Sequence, residues 1–429
     1  MPGKEHDIIT ENAIKLLPDW QKKIIENETG KMVKEYCHYP DWYFGIGTEY
    51  HKAALPYHFE TDGIQFHYIP DTPIIQHYRY YKISENGKKL ELLPGEENKN
   101  WKHASAGFRY YIEKSISSFK EEKIKDACSF MGCLLHMLED YGFGLHSMEG
   151  PYGTDLFVMD RLFPEADSFE KFPSNMLKAT EFDKEMLRAY SPSLLGYKID
   201  EMIFHLYTRY VQTTCSARRL SFQIVNNRYY FPEKDNKALF DRMYRNIISL
   251  CADLLFTVFC AASGRFEGMN EHLKEVFLSD MEPVSRPWGL SHYRFVTMLR
   301  DKAMNNEKKF VPLQTIVMNN GKTENITFEK GIGMGSHYNA ELLYELPRNT
   351  YEELSFHIGF FHERISHGNL EIDFMNNGEK SYGITLSEEH PSEKITIHSP
   401  SGRCGLIIRN GKGMAGPHIV IGNPILKKH

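Results

Sequence analysis

The chain has no Gly-x-Ser-x-Gly elbow, no phosphate-cradling glycine loop and no dinucleotide fingerprint. Serine-triad hydrolysis, P-loop phosphoryl transfer and nicotinamide or flavin redox chemistry therefore lack their usual sequence support. Cysteine is sparse, with seven residues, an odd number, and no Cys-x2-Cys pair, which excludes a dense disulfide framework or a zinc ribbon. Cys128, Cys133, Cys251 and Cys260 lie in apolar segments and read as buried free thiols. Positive charge is not in surplus. A formal net charge of -6 and a pI near 6.4 argue against a nonspecific nucleic-acid binder, and no stable nucleic-acid partner is expected. The longest apolar stretch, from Ile247 to Ala262, contains Asp253 and is short for a membrane span, so it reads as a buried helix and no transmembrane segment is expected. MPGKEHDII lacks a basic segment followed by an apolar run, so no secretory leader is expected at this start. Internal repeats and low-complexity tracts are also absent.

What is present suits two domains. At 429 residues, with 41% hydrophobic and 25% charged residues, the chain exceeds one typical core. Apolar positions recur with helical period at 8–17, 104–119, 124–141, 197–216 and 237–262, predicting helices joined by loops up to about residue 300. From about 305 the texture changes to short apolar strands separated by Gly, Asn and Pro turns: LQTIVM, ENITFE, NLEIDFM, YGITL, KITIHS, GLIIRN and HIVIG. That alternation predicts a β-sandwich. The fold expected is multidomain α and β, with a helical domain over 1–304 and a jelly-roll-like β-sandwich over 305–429, divided near MNNEKKFVPL.

The segment LLHMLEDYGFGLH spaces His136, Asp140 and His146 as His-x3-Asp-x5-His. Side chains four apart on a helix share a face, so the His136 imidazole and the Asp140 carboxylate can converge on one cation. Gly142 and Gly144 are expected to break the helix and return His146 to Asp140. An ion pair or a capped helix end uses the same spacing. The apolar neighbours Cys133, Leu134, Leu135, Met137 and Leu138 imply burial, where an uncompensated charge is costly and needs a partner. Further candidate ligands lie upstream. His6 stands in KEHDIITENAIKLL, an amphipathic helix, Asp41 in the aromatic loop YCHYPDWYFGIG, His58 in HFETDG and His67 in FHYIPDTP.

In this order the residues resemble zinc-dependent phospholipases C, including the clostridial alpha-toxin, and the related fungal single-strand nucleases. Their pattern runs His, Asp, His-Phe, then His-x3-Asp-x5-His; here it reads His6, Asp41, His58-Phe59, His136, Asp140 and His146. The resemblance implies an all-α phospholipase C-like catalytic domain with a cluster of two to three zinc ions. Asp41, His58, His136 and Asp140 would hold one ion, and His6 and Asp140 a second together with the chain's N-terminal amine and carbonyl. Asp140 would bridge the two. His67 is the second choice to His58. The third ion would take His146 and a His-x3-Glu pair, but in GYKIDEMIFHLYTRY Tyr197 stands where that His would be, with Glu201 in the place of the Glu and His205 one turn on. Glu201 and His205 could reach a metal in reversed order or form an ordinary salt bridge; Glu149 and Asp155 are weaker alternatives. The family's Gly-Asp and Pro-x-His are replaced here by Glu139-Asp140 and Gly144-Leu145-His146, and its N-terminal Trp by Met1-Pro2-Gly3.

The chemistry implied is hydrolysis of a phosphodiester by a metal-activated water, with Asp41 orienting or deprotonating it and Asp140 bridging the metals. The expected substrate is a phospholipid head group or another phosphodiester. A single-strand nuclease, or a glycan-binding protein whose metal site has decayed, are the alternatives. Toward the C-terminus, KGIGMGSHYNAELLYELPRNTYEELSFHIGF resembles a carbohydrate-binding module appended to bacterial glycan-active proteins. This implies a domain that targets a glycan or membrane surface. Both resemblances imply a secreted, periplasmic or cell-surface protein. The aromatic clusters HYRYYK and RYYF are read mainly as core.

Overall fold

The computed structural model describes residues 3–39, 64–70, 76–83, 90–92, 102–103, 105–143, 181–266, 270–287, 297–307, 309–319, 322–336, 340–361, 369–409 and 418–428. The chain forms two compact units, Met1–Met269 and Asn270–His429. A helical region comes first and a multi-sheet β unit follows, as expected.

The first unit has α1 (Gly3–Lys15), α2 (Asp19–Ile24), α3 (Thr29–Lys34), α4 (Ser105–Lys120), α5 (Ile124–Gly142), α6 (Ile199–Tyr230) and α7 (Lys237–Ser263). In α1 the residues Ile9, Ala13 and Ile14 are buried, and so are His6 and Thr10. The face of α1 that enters the core thus carries polar groups with it. α5 is buried almost all round, from Ala127 through Glu139, as a helix at the centre of a bundle must be. α7 is long and apolar enough to cross a membrane, yet 78% of its most apolar window is buried within the unit, so it reads as the core helix expected. Its Asp253 is fully buried and receives the Arg209 guanidinium, the Tyr190 hydroxyl and the Ser193 backbone N–H. The helix ends at Gly264, whose φ of +72° is the left-handed stop that glycine accepts readily.

Two glycines set how closely elements approach α5. A Cβ on Gly132 would stand 2.6 Å from the Tyr36 carbonyl carbon, so its absence lets the short helix Tyr36–His38 lie directly on α5. A Cβ on Gly142 would stand 2.4 Å from Ile247 Cδ1 on α7. The sequence reading gave Gly142 a turn. It is instead the last residue of the helix, needed for close packing, and Phe143 after it is extended.

Residues 64–103 depart from helices joined by loops. Gln76–Ile83 pairs antiparallel with Ile64–Pro70, and Leu90–Leu92 and Lys102–His103 complete a four-stranded sheet. The run QHYRYYKI is rich in aromatic strand formers, so the cluster first read as core material belongs to a strand. The unit division also falls earlier than 304/305. Glu275–Phe277 pairs with His418–Lys427, and Leu299–Arg300 with Gly331–Gly335, which ties this stretch to the β unit.

In the β unit the larger sheet runs Ser392–His398, Glu353–Phe360, His418–Lys427, Gly331–Gly335 and Leu299–Arg300, with Glu275–Phe277 on His418–Lys427. The second sheet orders Glu341–Leu346, Gly402–Ile408, Leu370–Asn376 and Glu379–Leu386. Burial alternates along Gly402–Ile408 and Ser392–His398, as it does when one sheet face enters a core. Leu354, Phe356 and Ile421 of the larger sheet line one apolar space with Leu342, Tyr344 and Leu406 of the other, which is sandwich packing.

Candidate metal centre

α1 and α5 bring His6, His136 and Asp140 together, with one ligand atom from each lying within 4.8 Å of the others. His136 and Asp140 are one turn apart on α5, and His6 enters from α1. The imidazoles stack with centroids 4.3 Å apart and planes 12° apart. Each faces a different oxygen of the same carboxylate: His136 Nε2 is 3.1 Å from Asp140 Oδ2, and His6 Nε2 is 3.5 Å from Asp140 Oδ1.

Their outer nitrogens are also fixed. His136 Nδ1 lies 2.6 Å from the Cys37 carbonyl oxygen. A carbonyl only accepts, so Nδ1 donates to it and Nε2 is the nitrogen turned toward Asp140. The approach that Gly132 permits holds this carbonyl in place. His6 Nδ1 lies 2.6 Å from Glu139 Oε2, and the Thr10 hydroxyl donates to Glu139 Oε1 at 2.6 Å. Among the described residues His6 Nε2 has no hydrogen-bond partner.

Burial, with the neighbouring His136 ring, holds His6 well below the usual histidine range and hence neutral. Burial also pushes the Glu139 carboxyl up to about 8, so an ionised Glu139 calls for positive charge nearby. A neutral His6, a second imidazole and two adjacent carboxyls form a site rich in nitrogen and oxygen donors.

The other predicted ligands are placed as follows. Asp41, His58 and His146 lie outside the described residues, as do Glu149 and Asp155. His67 lies on the strand Ile64–Pro70 opposite Arg79. Glu201 and His205 are both buried on α6. Glu201 Oε2 accepts the Tyr197 backbone N–H at 2.9 Å, capping the start of α6 in the manner of a capping-box glutamate. The His205 ring stands edge-on to Phe204. Among the described residues neither belongs to a cluster of three ligands.

A second group, Asp7, Cys37 and His38, lies beside the first. Asp7 receives His38 Nε2 at 2.9 Å and Lys34 Nζ at 2.5 Å. The Cys37 thiol donates to the Val33 carbonyl, and burial raises it far above the range where a thiolate forms. This group is an ion pair that fastens the Tyr36–His38 turn to α1. Sequence reasoning assigned no role to Glu139 or Thr10, although Thr10 is four residues from His6 and so shares its helix face.

No sequence model of a protein family matches the chain, and no curated protein matches it. Among solved structures, alpha toxin from Clostridium absonum is 11% identical over 99% of this chain and 94% of its own, with a TM-score of 0.31. An alpha-toxin of an avian strain of Clostridium perfringens is 9% identical over 97% and 85%, at 0.30. A CBM51 from GH95 of Clostridium perfringens, solved with methyl-galactose, is 17% identical over 36% of this chain and 99% of its own, at 0.29. Likenesses this distant assign neither an activity nor a site to this chain.

Proposed function

We propose that the helical unit is a zinc-dependent phosphodiester hydrolase of the phospholipase C type, and that the β unit targets it to a glycan-bearing or membrane surface outside the cell. One observation carries the reading: the Nε2 atoms of two buried imidazoles, each with its Nδ1 held by a hydrogen-bond partner, face the two oxygens of the Asp140 carboxylate. Neutral lone pairs do not attract a carboxylate, and a cation between them turns this repulsion into ligation. Two ligand atoms on one tetrahedral zinc stand about 3.3 Å apart at ordinary zinc–ligand lengths. The separations of 3.1 and 3.5 Å match that spacing. The nitrogen and oxygen donor set suits zinc.

Asp140 would be shared by two ions, one held with His6 and the other with His136. Asp41 and His58 would complete the His136 ion, and His146 with Glu201 and His205 would hold a third. When bound, the ions supply an acidified water and neutralise the charge on the phosphoryl oxygens. The chain's own part is to keep His6 neutral, fix which nitrogen of each ring faces inward and exclude competing water by burial. Asp41 is the residue proposed to orient the attacking water.

A glycan-binding protein with a reduced metal site is the second reading, favoured by the engagement of Glu201 as a helix cap. Elemental analysis of protein purified without chelator decides between them: two or more zincs per chain are expected, and fewer would sink the catalytic reading. Hydrolysis of a phosphatidylcholine analogue but not of single-stranded DNA would then separate a phospholipase C from a nuclease.

A further inference from the structure

Glu139 is a fully buried carboxyl at the metal centre that the ligand set does not use. It lies beside Asp140 on α5, but its oxygens point to α1. Oε2 meets His6 Nδ1 at 2.6 Å, and Oε1 accepts from the Thr10 hydroxyl at 2.6 Å. His6 and Thr10 are one turn apart on α1, so one carboxyl ties together two positions of one helix face. Burying a carboxyl costs several kcal/mol unless hydrogen bonds repay it, and a glutamine or an apolar residue would fill the same space at less cost. The position therefore has a use for a carboxylate.

We propose that Thr10, Glu139 and His6 form a positioning relay. The Thr10 hydroxyl donates to the Glu139 carboxylate, the carboxylate accepts a hydrogen bond from His6 Nδ1–H, and His6 Nε2 is thereby left as the more basic, metal-facing nitrogen beside Asp140. Glu139 and Thr10 are positioning residues and touch no metal themselves. This rests on the metal-centre reading above and adds to it that the His6 ligand is tuned by α5 as well as carried by α1. The two rings are then oriented by different means. His136 is held by a neutral carbonyl, that of Cys37, whereas His6 is held by a carboxylate, which makes the imidazole the stronger donor. The half of the site that contains His6 should thus lose the most when the charge beside it is removed.

The test is zinc affinity, measured by competition with a chromogenic chelator on the full-length protein and on three variants. Cobalt(II) absorption serves as a second readout of ligand geometry. Removing a carboxylate that orients a metal-binding histidine typically weakens metal affinity about 10- to 100-fold. Glu139→Gln can keep an oxygen toward His6 with its NH2 donating to the Thr10 hydroxyl, and it removes the charge, so a loss in that range is expected, with an altered cobalt spectrum. Thr10→Val keeps the shape of Thr10 and should give a smaller loss in the same direction. Lys380 lies in the β unit, paired with Asp373, so Lys380→Ala should leave zinc affinity unchanged. Affinity within about twofold of the parent in both Glu139→Gln and Thr10→Val overturns the relay. Should Glu139→Gln fail to fold, Thr10→Val decides alone. Absence of zinc from the parent would overturn the metal centre and the relay together, whereas a parent that binds zinc with unaffected variants overturns the relay only.

Discussion

Gly132 and Tyr36 stand so close that a Cβ added to Gly132 would lie 2.4 Å from the tyrosine Cβ and 2.6 Å from its carbonyl carbon. Gly132 is one turn before His136 on the same face of α5, and Tyr36 immediately precedes the residue whose carbonyl receives His136 Nδ1. The contact that excludes a side chain at 132 therefore also orients a candidate ligand.

Gly132→Ala should accordingly weaken both folding and metal binding. Helix propensity alone favours alanine by about 1 kcal/mol, but a backbone neighbour cannot move aside as a flexible side chain can. Overpacking of this kind costs about 1–3 kcal/mol. The expected result is a net loss of up to about 2 kcal/mol in urea unfolding, accompanied by lower zinc affinity as the Cys37 carbonyl shifts. A gain in stability with unchanged metal affinity would show that the close approach does not orient His136.

Asp253 provides a test of the helical core that is independent of metal. It is fully buried on α7, while the Arg209 side chain on α6 keeps about a third of its surface exposed at 32%. Removing one member of a buried pair costs about 3–5 kcal/mol, chiefly by stranding the other charge. Arg209 can partly recover water, so Asp253→Ala should fall near the lower end, about 3 kcal/mol. Asp253→Asn should cost less, because its amide oxygen still accepts from the Ser193 N–H. Denaturant titration reads the order of the two variants. Equal costs would mean that the Ser193 bond contributes nothing.

In the β unit, Asp373 lies between Lys380 Nζ at 2.5 Å and Arg409 Nε at 2.7 Å. Hydrogen bonds from Lys380 and then Arg409 hold its carboxyl below the usual aspartate range. A carboxyl more acidic in the folded state contributes stability that is present above its unfolded pKa, about 3.9, and is lost as pH falls through the folded value. Calorimetric midpoints of the parent should exceed those of Asp373→Asn above about pH 5, and the gap should close on acidification below about pH 4. A gap that widened toward acid would contradict the sign of the shift.

Much of the architecture was legible because it depends on period. The helices expected at 104–119 and 124–141 are found at Ser105–Lys120 and Ile124–Gly142, and all but an end residue of KITIHS and of NLEIDFM lies in a strand. The four-stranded sheet over 64–103 was not legible, because its aromatic-rich run fits a core segment as well as a strand until a pairing partner is known. The unit division was missed for a related reason. Strands of two or three residues, such as Leu299–Arg300, carry no alternation of their own and are defined by the neighbour they pair with. At the candidate site, spacing pointed to His136 and Asp140 and resemblance added His6. Neither could reveal that Glu139 turns to α1 or that Cys37 supplies a carbonyl, because both contacts join residues about a hundred or more positions apart.

Asp140→Asn separates a ligand from a scaffold residue at the centre of the site. The amide has nearly the shape of the carboxylate, and the Asp140 side chain keeps 13% of its surface exposed, so loss of the charge leaves no buried ion stranded. The apo protein should melt within about 2–4 °C of the parent, corresponding to a change of at most about 1 kcal/mol. An amide is a poor replacement for a bridging carboxylate, because only its oxygen can bind a metal while its NH2 turns hydrogens toward the second ion. At least one zinc should be lost per chain, and hydrolysis of a phosphodiester should fall below detection. Elemental analysis, calorimetry and a phosphatidylcholine-analogue assay on the same preparation read all three. Full zinc content with an unchanged rate would remove Asp140 from the metal centre and would leave His6 and His136 as a buried stacked pair of structural purpose.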